Sequence, residues 1–165
     1  MIRNISQEEV FDLFFDLIID IEMGDHFDKT NESHLKWLEQ KVSRRFGCGA
    51  IFYGYFDTDK APIGIGSVVI EDHPIFQGYS ELLDLGVIPK FRGLGYGTKL
   101  VQHAEHLSRD AGLFCMYIST YAGDEIAISF YTKCGYTPVA VLPDVNGPKD
   151  EGKLYLRKRL YRDRE

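Results

Sequence analysis

A chain of 165 residues, 44% of them hydrophobic, is long enough to bury a core and short for two domains, so a single domain over residues 1–165 is expected. Its 19 Lys plus Arg against 25 Asp plus Glu leave a formal charge of −6, which repels a phosphate backbone and argues against nucleic acid as a partner. No stretch approaches the ~20 apolar residues of a membrane span, and the opening MIRNISQEEVFDLFF lacks a signal peptide's apolar core, so a soluble cytoplasmic protein with no membrane partner is expected.

Ser6 with Glu9 three residues later forms a capping-box pattern, and Val10, Phe11, Phe14, Phe15, Ile18 and Ile19 recur at helical spacing, predicting a helix from about Gln7 to Glu22. After a polar loop, Gly24 to Thr30, a second helix starts near Asn31 or Ser33, carries Leu35, Leu38 and Val42 on one face, and ends at Gly47. The period then changes. Ile51 to Phe56 and Ile63 to Ile70 are rich in β-branched and aromatic residues around the turn Asp57-Thr58-Asp59-Lys60, and predict antiparallel strands. The loop Glu71 to Gly78 leads to a strand over Tyr79 to Val87, then to a glycine loop. A helix follows to about Ala111, with Leu100, Val101, Ala104, Leu107 and Ala111 as its apolar stripe and Gly112 as its stop.

Leu113 to Thr120 reads as a strand, Glu125 to Cys134 as a short helix closed by Gly135, and Tyr136 to Leu142 and Lys153 to Leu160 as terminal strands. The cationic run from Lys153 to Arg164 is interleaved with Tyr155, Leu156, Leu160 and Tyr161, the pattern of a last strand with a solvated tail. The strand-helix-strand unit at the centre requires a parallel pair. The expected fold class is therefore α/β, a mixed sheet with helices packed on it.

The central feature is the strand ending at Val87-Ile88-Pro89, followed by Arg92-Gly93-Leu94-Gly95-Tyr96-Gly97-Thr98 and a helix that begins within that run. Glycines let a backbone approach a ligand closely, and the first helical N–H groups lack intrahelical partners, so the loop suits an anion, with Arg92 as a nearby cation. A Walker loop is excluded because Gly97 is followed by Thr98-Lys99 rather than Lys-Ser/Thr. A Rossmann fingerprint would need glycine where Thr98 stands. A tight strand-to-helix turn without a ligand remains the alternative at this point.

Arg92 to Gly97 matches the pattern Arg/Gln-x-x-Gly-x-Gly/Ala, and Ala127, Phe130, Tyr131, Gly135 and Tyr136 match a second pattern, Ala-x-x-aromatic-Tyr-x-x-x-Gly-aromatic. With these two motifs the chain resembles the GNAT N-acetyltransferase superfamily from Ile63 to about Leu142. The resemblance implies a GNAT-like, mostly antiparallel sheet with a central splayed parallel strand pair. It also implies acetyl-CoA as co-substrate, without a metal. The backbone of Arg92 to Thr98 would hold the CoA pyrophosphate, and Leu85, Gly86 and Val87 the pantetheine and thioester. Asp124 stands where many members carry a pantetheine-binding Asn, so that contact is not transferred; the residue instead suits a helix cap.

Acyl transfer to an amine requires removal of a proton from a group of pKa about 10.4. Glu81 falls where some members carry a catalytic glutamate, and a strict period of two puts it on one face with Leu83 and Leu85. It is the first candidate base, or else an exposed residue at the strand's start; Asp84 is the second. Tyr131 matches the family's general-acid tyrosine, at the edge of an apolar face of Ile126, Ala127, Phe130 and Cys134, and is otherwise a core tyrosine. The odd set Cys48, Cys115 and Cys134 has no CxxC pair and reads as buried free thiols. His26, His34, His73, His103 and His106 show no metal spacing and read as exposed structural residues.

The acceptor is expected to meet Glu22 to Glu32, the loop Glu71 to Gln77, and Pro143 to Glu151. The carboxylates Glu22, Asp25, Asp28 and Glu32, with Tyr53 and Tyr55, favour a small cationic amine as partner. A protein or peptide amine acetyltransferase, and a non-catalytic acyl-CoA-binding module, are the alternatives. A homodimer is compatible with this reading.

Overall fold

The computed structural model describes residues 1–71, 74, 75, 78–145 and 147–161. Half of the loop expected from Glu71 to Gly78, including His73 and Gln77, lies outside the described residues, as do Arg162 and Arg164 of the tail. The strands are β1 (Ile2–Asn4), β2 (Ile51–Phe56), β3 (Pro62–Glu71), β4 (Tyr79–Val87), β5 (Cys115–Tyr121), β6 (Thr137–Leu142) and β7 (Lys153–Arg159). The helices are α1 (Gln7–Glu22), α2 (Glu32–Gly47), α3 (Tyr96–Asp110) and α4 (Glu125–Lys133). The strands form a seven-stranded sheet in the order β1-β2-β3-β4-β5-β7-β6, mostly antiparallel, with β4 and β5 as the parallel pair. That is the mixed architecture anticipated from the central strand-helix-strand unit.

The residues divide into two compact units. The first comprises Met1–Val69 and Asp84–Ala104, and the second Ile70–Leu83 and Glu105–Glu165. In the first, α1 begins at the expected capping box: Ser6 Oγ accepts from the Glu9 amide at 3.2 Å, and Glu9 Oε2 accepts from the Ser6 amide at 3.0 Å. Its buried face, Val10, Phe14, Leu17, Ile18 and Ile19, joins Leu38 and Val42 of α2, Phe52 and Phe56 of β2, and Ile63, Ile65 and Val68 of β3 in the core. Each such buried side chain contributes about 1.5–3 kcal/mol relative to exposure. Asn31 caps α2 through the Ser33 amide at 2.9 Å.

Two features of this unit were not anticipated. Ile2–Asn4 adds a short strand beside β2, and Gly24–His26 forms a 3-10 turn within the expected loop.

In the second unit the parallel register joins Tyr79–Leu82 to Cys115–Ile118, and β5 pairs along its whole length with β7. Leu82, Met116, Ile118, Tyr136 and Leu156 are buried there. Asp124 caps α4, accepting from the Ala127 amide at 2.9 Å, which bears out the capping role of this residue. Gly135, at φ 91°, ends that helix, as Gly112 at φ 76° follows α3. Ile126, expected on the apolar face of α4, is instead 85% exposed, because the first turn of this short helix projects outward.

Candidate active site

The glycine loop lies in the first unit. A 3-10 turn, Pro89–Phe91, ends β4's exit, and Gly93 and Gly95 follow at φ 76° and 83°, the left-handed region that a side chain resists. α3 then begins at Tyr96, with no acidic residue in its first turn to compete for its unpaired N–H groups. Arg92 is exposed, and its Nε donates to the carbonyl of Val87 at 2.9 Å, tying the loop back to the end of β4. Tyr96 packs edge-on against Tyr55, with centroids 4.9 Å apart, and Lys99 sits 5.4 Å from the Tyr96 ring. Lys90, Arg92 and Lys99 thus gather positive charge around this turn in an acidic chain.

Leu85, Gly86 and Val87 lead into the loop, and β4 is crowded there. A Cβ on Gly86 would stand 2.6 Å from Ile21 Cδ1 and 3.0 Å from Leu17 Cδ1, and a Cβ on Gly64 would meet the Gly86 carbonyl oxygen at 2.7 Å. Gly86 thus leaves room for Leu17 and Ile21 of α1, whose side chains would have to shift to admit a Cβ there.

Asp84 belongs to a buried ion cluster of the first unit. It is 2% exposed; Oδ1 accepts from Arg45 and Oδ2 from Ser67. Arg45 also pairs with Glu22 Oε1 at 2.7 Å, and Lys41 pairs with the same Glu22 carboxylate. Burial pushes the Asp84 carboxyl up to about 6, and the Glu22 charge adds to the rise, while Arg45 and the Ser67 hydrogen bond oppose it. Glu22 is therefore engaged internally rather than offered to a cationic acceptor. Tyr53, also expected to face the acceptor, is buried and donates to the carbonyl of Leu100 at 3.1 Å. Asp28 is turned onto Thr30, accepting from its amide and hydroxyl at 2.8 and 2.7 Å.

Glu81 and Tyr131 lie in the second unit. Glu81 stands opposite Tyr117 in the parallel register, and Tyr117 meets Tyr79 edge-on at 5.6 Å. The Tyr155 hydroxyl has a raised pKa, chiefly through burial and secondarily through the Glu81 charge, so Glu81 and Tyr155 feel one another. Burial alternates along β4 as expected: Ser80, Leu82 and Asp84 are buried, while Glu81, Leu83 and Leu85 are half-buried. Ser80 meets Ser108 of α3 at 2.7 Å, and Asp84 meets Arg45 of α2.

Tyr131, 9% exposed, packs against Phe130 and Tyr136 at 5.1 and 6.3 Å between centroids. The loop before β7 folds back on itself: Asp144 accepts from the Lys149 amide at 2.6 Å, and the Tyr121 hydroxyl, bonded to Asp150, has its pKa raised by that contact.

The remaining titratable residues divide between surface and structural roles. Cys115 is buried, Cys134 half-buried and Cys48 exposed, the last contrary to expectation because it caps the open end of α2. His106 pairs with Asp110 at 3.2 Å, and His34 accepts from the Asp28 amide at 3.0 Å. His103 is half-buried rather than exposed, its ring edge-on to Tyr53 at 4.8 Å. Among the described residues no helix is long and apolar enough to cross a membrane.

The family model described as Acetyltransferase (GNAT) family matches residues 11–136. The chain belongs to that family. Among solved structures, the GNAT chain is similar to an aminoglycoside 6'-N-acetyltransferase complexed with coenzyme A, at 19% identity and TM-score 0.76, covering 100% of this chain and 99% of that one. It is also similar to the aminoglycoside 6'-N-acetyltransferase from Enterococcus faecium, at 20% identity and TM-score 0.73 over 100% and 99% of the two chains. In sequence it is 33% identical over 76 residues to N-alpha-acetyltransferase 50 of Danio rerio, a match spanning 45% of this GNAT chain and 45% of that relative.

Proposed function

We propose that the chain is an acetyl-CoA-dependent N-acetyltransferase, a single domain over residues 1–165, acting in the cytoplasm on a primary amine of a small cationic molecule. The observation that carries this reading is the turn from Arg92 to Thr98, with left-handed glycines, the open N-terminus of α3, and Lys90, Arg92 and Lys99 around it. Its backbone N–H groups and cations suit the pyrophosphate of CoA, and Leu85, Gly86 and Val87 suit the pantetheine and thioester. The aminoglycoside enzymes among the structural neighbours support a small amine as acceptor.

The reaction is a direct attack in a ternary complex. The amine nitrogen bonds to the thioester carbonyl carbon and the C–S bond breaks, giving the acetamide and CoA thiol. Glu81 takes the proton that the amine loses, and the Tyr131 hydroxyl protonates the departing sulfur; both recover their starting state by exchange with solvent. A backbone N–H near Val87 stabilises the oxyanion between these steps.

The test mixes the protein with acetyl-CoA and a panel of polyamines, aminoglycosides and peptides, following release of CoA thiol. Glu81→Gln and Tyr131→Phe should each lower kcat by about 10²-fold; full turnover by either variant sinks that residue's assignment. The likeness to N-alpha-acetyltransferase 50 favours a second reading, acetylation of a peptide amine. Turnover confined to the peptides would select it. Absence of thiol release with every panel member, alongside tight acetyl-CoA binding, would point to a binding module instead.

A further inference from the structure

Glu105 of α3 is a buried carboxylate, 3% exposed. Oε1 accepts from Lys158 Nζ at 2.7 Å and from the Tyr136 hydroxyl at 3.2 Å, and Oε2 accepts from Arg109 Nη2 at 3.0 Å. Two of these donors lead to α4. Lys158 Nζ also donates at 2.8 Å to the carbonyl of Cys134, the residue that closes that helix, placing a cation at its C-terminal end, where the helix dipole favours one. Tyr136, 1% exposed, donates its backbone N–H to the Tyr131 carbonyl at 3.0 Å, while its ring meets the Tyr131 ring edge-on at 70°. Tyr131 is thus held through its own carbonyl and through its ring by a residue whose far end is anchored on Glu105.

α4 needs such an anchor. It has nine residues, too few for a helix to be stable on its own, and Tyr131 is its one buried side chain. A phenol that must meet a departing sulfur at hydrogen-bonding distance tolerates little displacement, and a shift of about 1 Å is enough to lower turnover roughly 10²-fold. We propose that Glu105 is a positioning residue for the acyl transfer. Acting through Tyr136 and Lys158, it fixes the C-terminal turn of α4 and thereby sets where the Tyr131 hydroxyl stands. This inference rests on the reading of Tyr131 as the acid that protonates the CoA sulfur.

The test is a double-mutant cycle on the full chain. Tyr136→Phe removes only the hydroxyl that reaches Glu105, and Glu105→Gln keeps an acceptor for Lys158, so the two variants perturb the anchor differently. Turnover is measured at saturating acetyl-CoA with an accepted amine, together with KM for acetyl-CoA and the thermal midpoint. Each variant should lower kcat about tenfold while KM for acetyl-CoA stays within twofold. In a Tyr131→Phe background neither should lower kcat further, because the group being positioned is gone.

Equal fold-losses in both backgrounds would overturn the proposal, as would a lowered thermal midpoint with kcat intact, since both describe a residue that only stabilises the fold. If Tyr131→Phe alone keeps full turnover, the acid assignment itself has failed, and the positioning role falls with it.

Discussion

The two buried ion clusters solve the same problem in opposite ways. In the second unit one carboxylate, Glu105, receives Lys158, Arg109 and the Tyr136 hydroxyl, so an acid is surrounded by donors. In the first unit two carboxylates, Glu22 and Asp84, share one guanidinium, Arg45, with Lys41 and Ser67 at the ends. Around Glu105 three donors serve one carboxylate, whereas Arg45, Lys41 and Ser67 serve two, and both of those converge on Arg45. Asp84 bears the consequence, its carboxyl held near 6 by burial and by the Glu22 charge. A buried charge is tolerable when its partners are in excess and becomes responsive to pH when they are not.

Removing the hub of each cluster should expose this difference. The largest effect is expected for Arg45→Ala, which leaves Glu22 and Asp84 facing one another and should cost about 3–5 kcal/mol in urea denaturation at pH 7.5. At pH 5 the loss should shrink, since Asp84 is then largely protonated. An equal loss at both values would break the comparison. Glu105→Ala should cost less, about 2 kcal/mol, because Lys158 and Arg109 are 26% and 37% exposed in their side chains and can turn to water.

Asp84→Asn sharpens the comparison within the first cluster. The carboxyl's folded pKa lies above its ordinary value of about 3.9, so its titration favours the folded state below that value and the advantage is lost as pH rises through about 6. The thermal midpoint of the unsubstituted chain minus that of Asp84→Asn should therefore fall steadily between pH 4 and pH 7. A flat difference would mean that Arg45 fully offsets burial. The smallest effect belongs to Lys41→Met: this lysine is 30% exposed and Glu22 retains Arg45, so the loss should stay near 0.5 kcal/mol.

What could be read from sequence was what depends on near neighbours. The bounds of α1 follow from Ser6 and Glu9, and the end of α4 from Gly135, each set by residues within one turn. The strand β1 escaped notice because three residues carry no periodicity. Neither ion cluster was legible either. Glu105 is 53 residues from Lys158, and Arg45 is 39 from Asp84, so only the Glu105–Arg109 pair, four residues apart, has a local mark. The same blindness made Glu22 and Tyr53 look available to an acceptor, when one is neutralised by α2 and the other bonded to α3. The turn of the glycine loop was legible because its left-handed glycines and the helix start are written in consecutive residues, while the loop's part in binding CoA and the roles of Glu81 and Tyr131 are proposals that binding and turnover must decide.

The crowding at Gly86 has a consequence for how this chain can change over generations. A methyl group at position 86 meets the end of the Ile21 side chain, which can turn aside or be trimmed, whereas one at Gly64 meets the Gly86 carbonyl, which no change of side chain relieves. Position 86 therefore accepts a small side chain more readily once Ile21 has been shortened, while position 64 gains nothing from that change. Sequence drift next to the loop should therefore run through the helix before it reaches the strand.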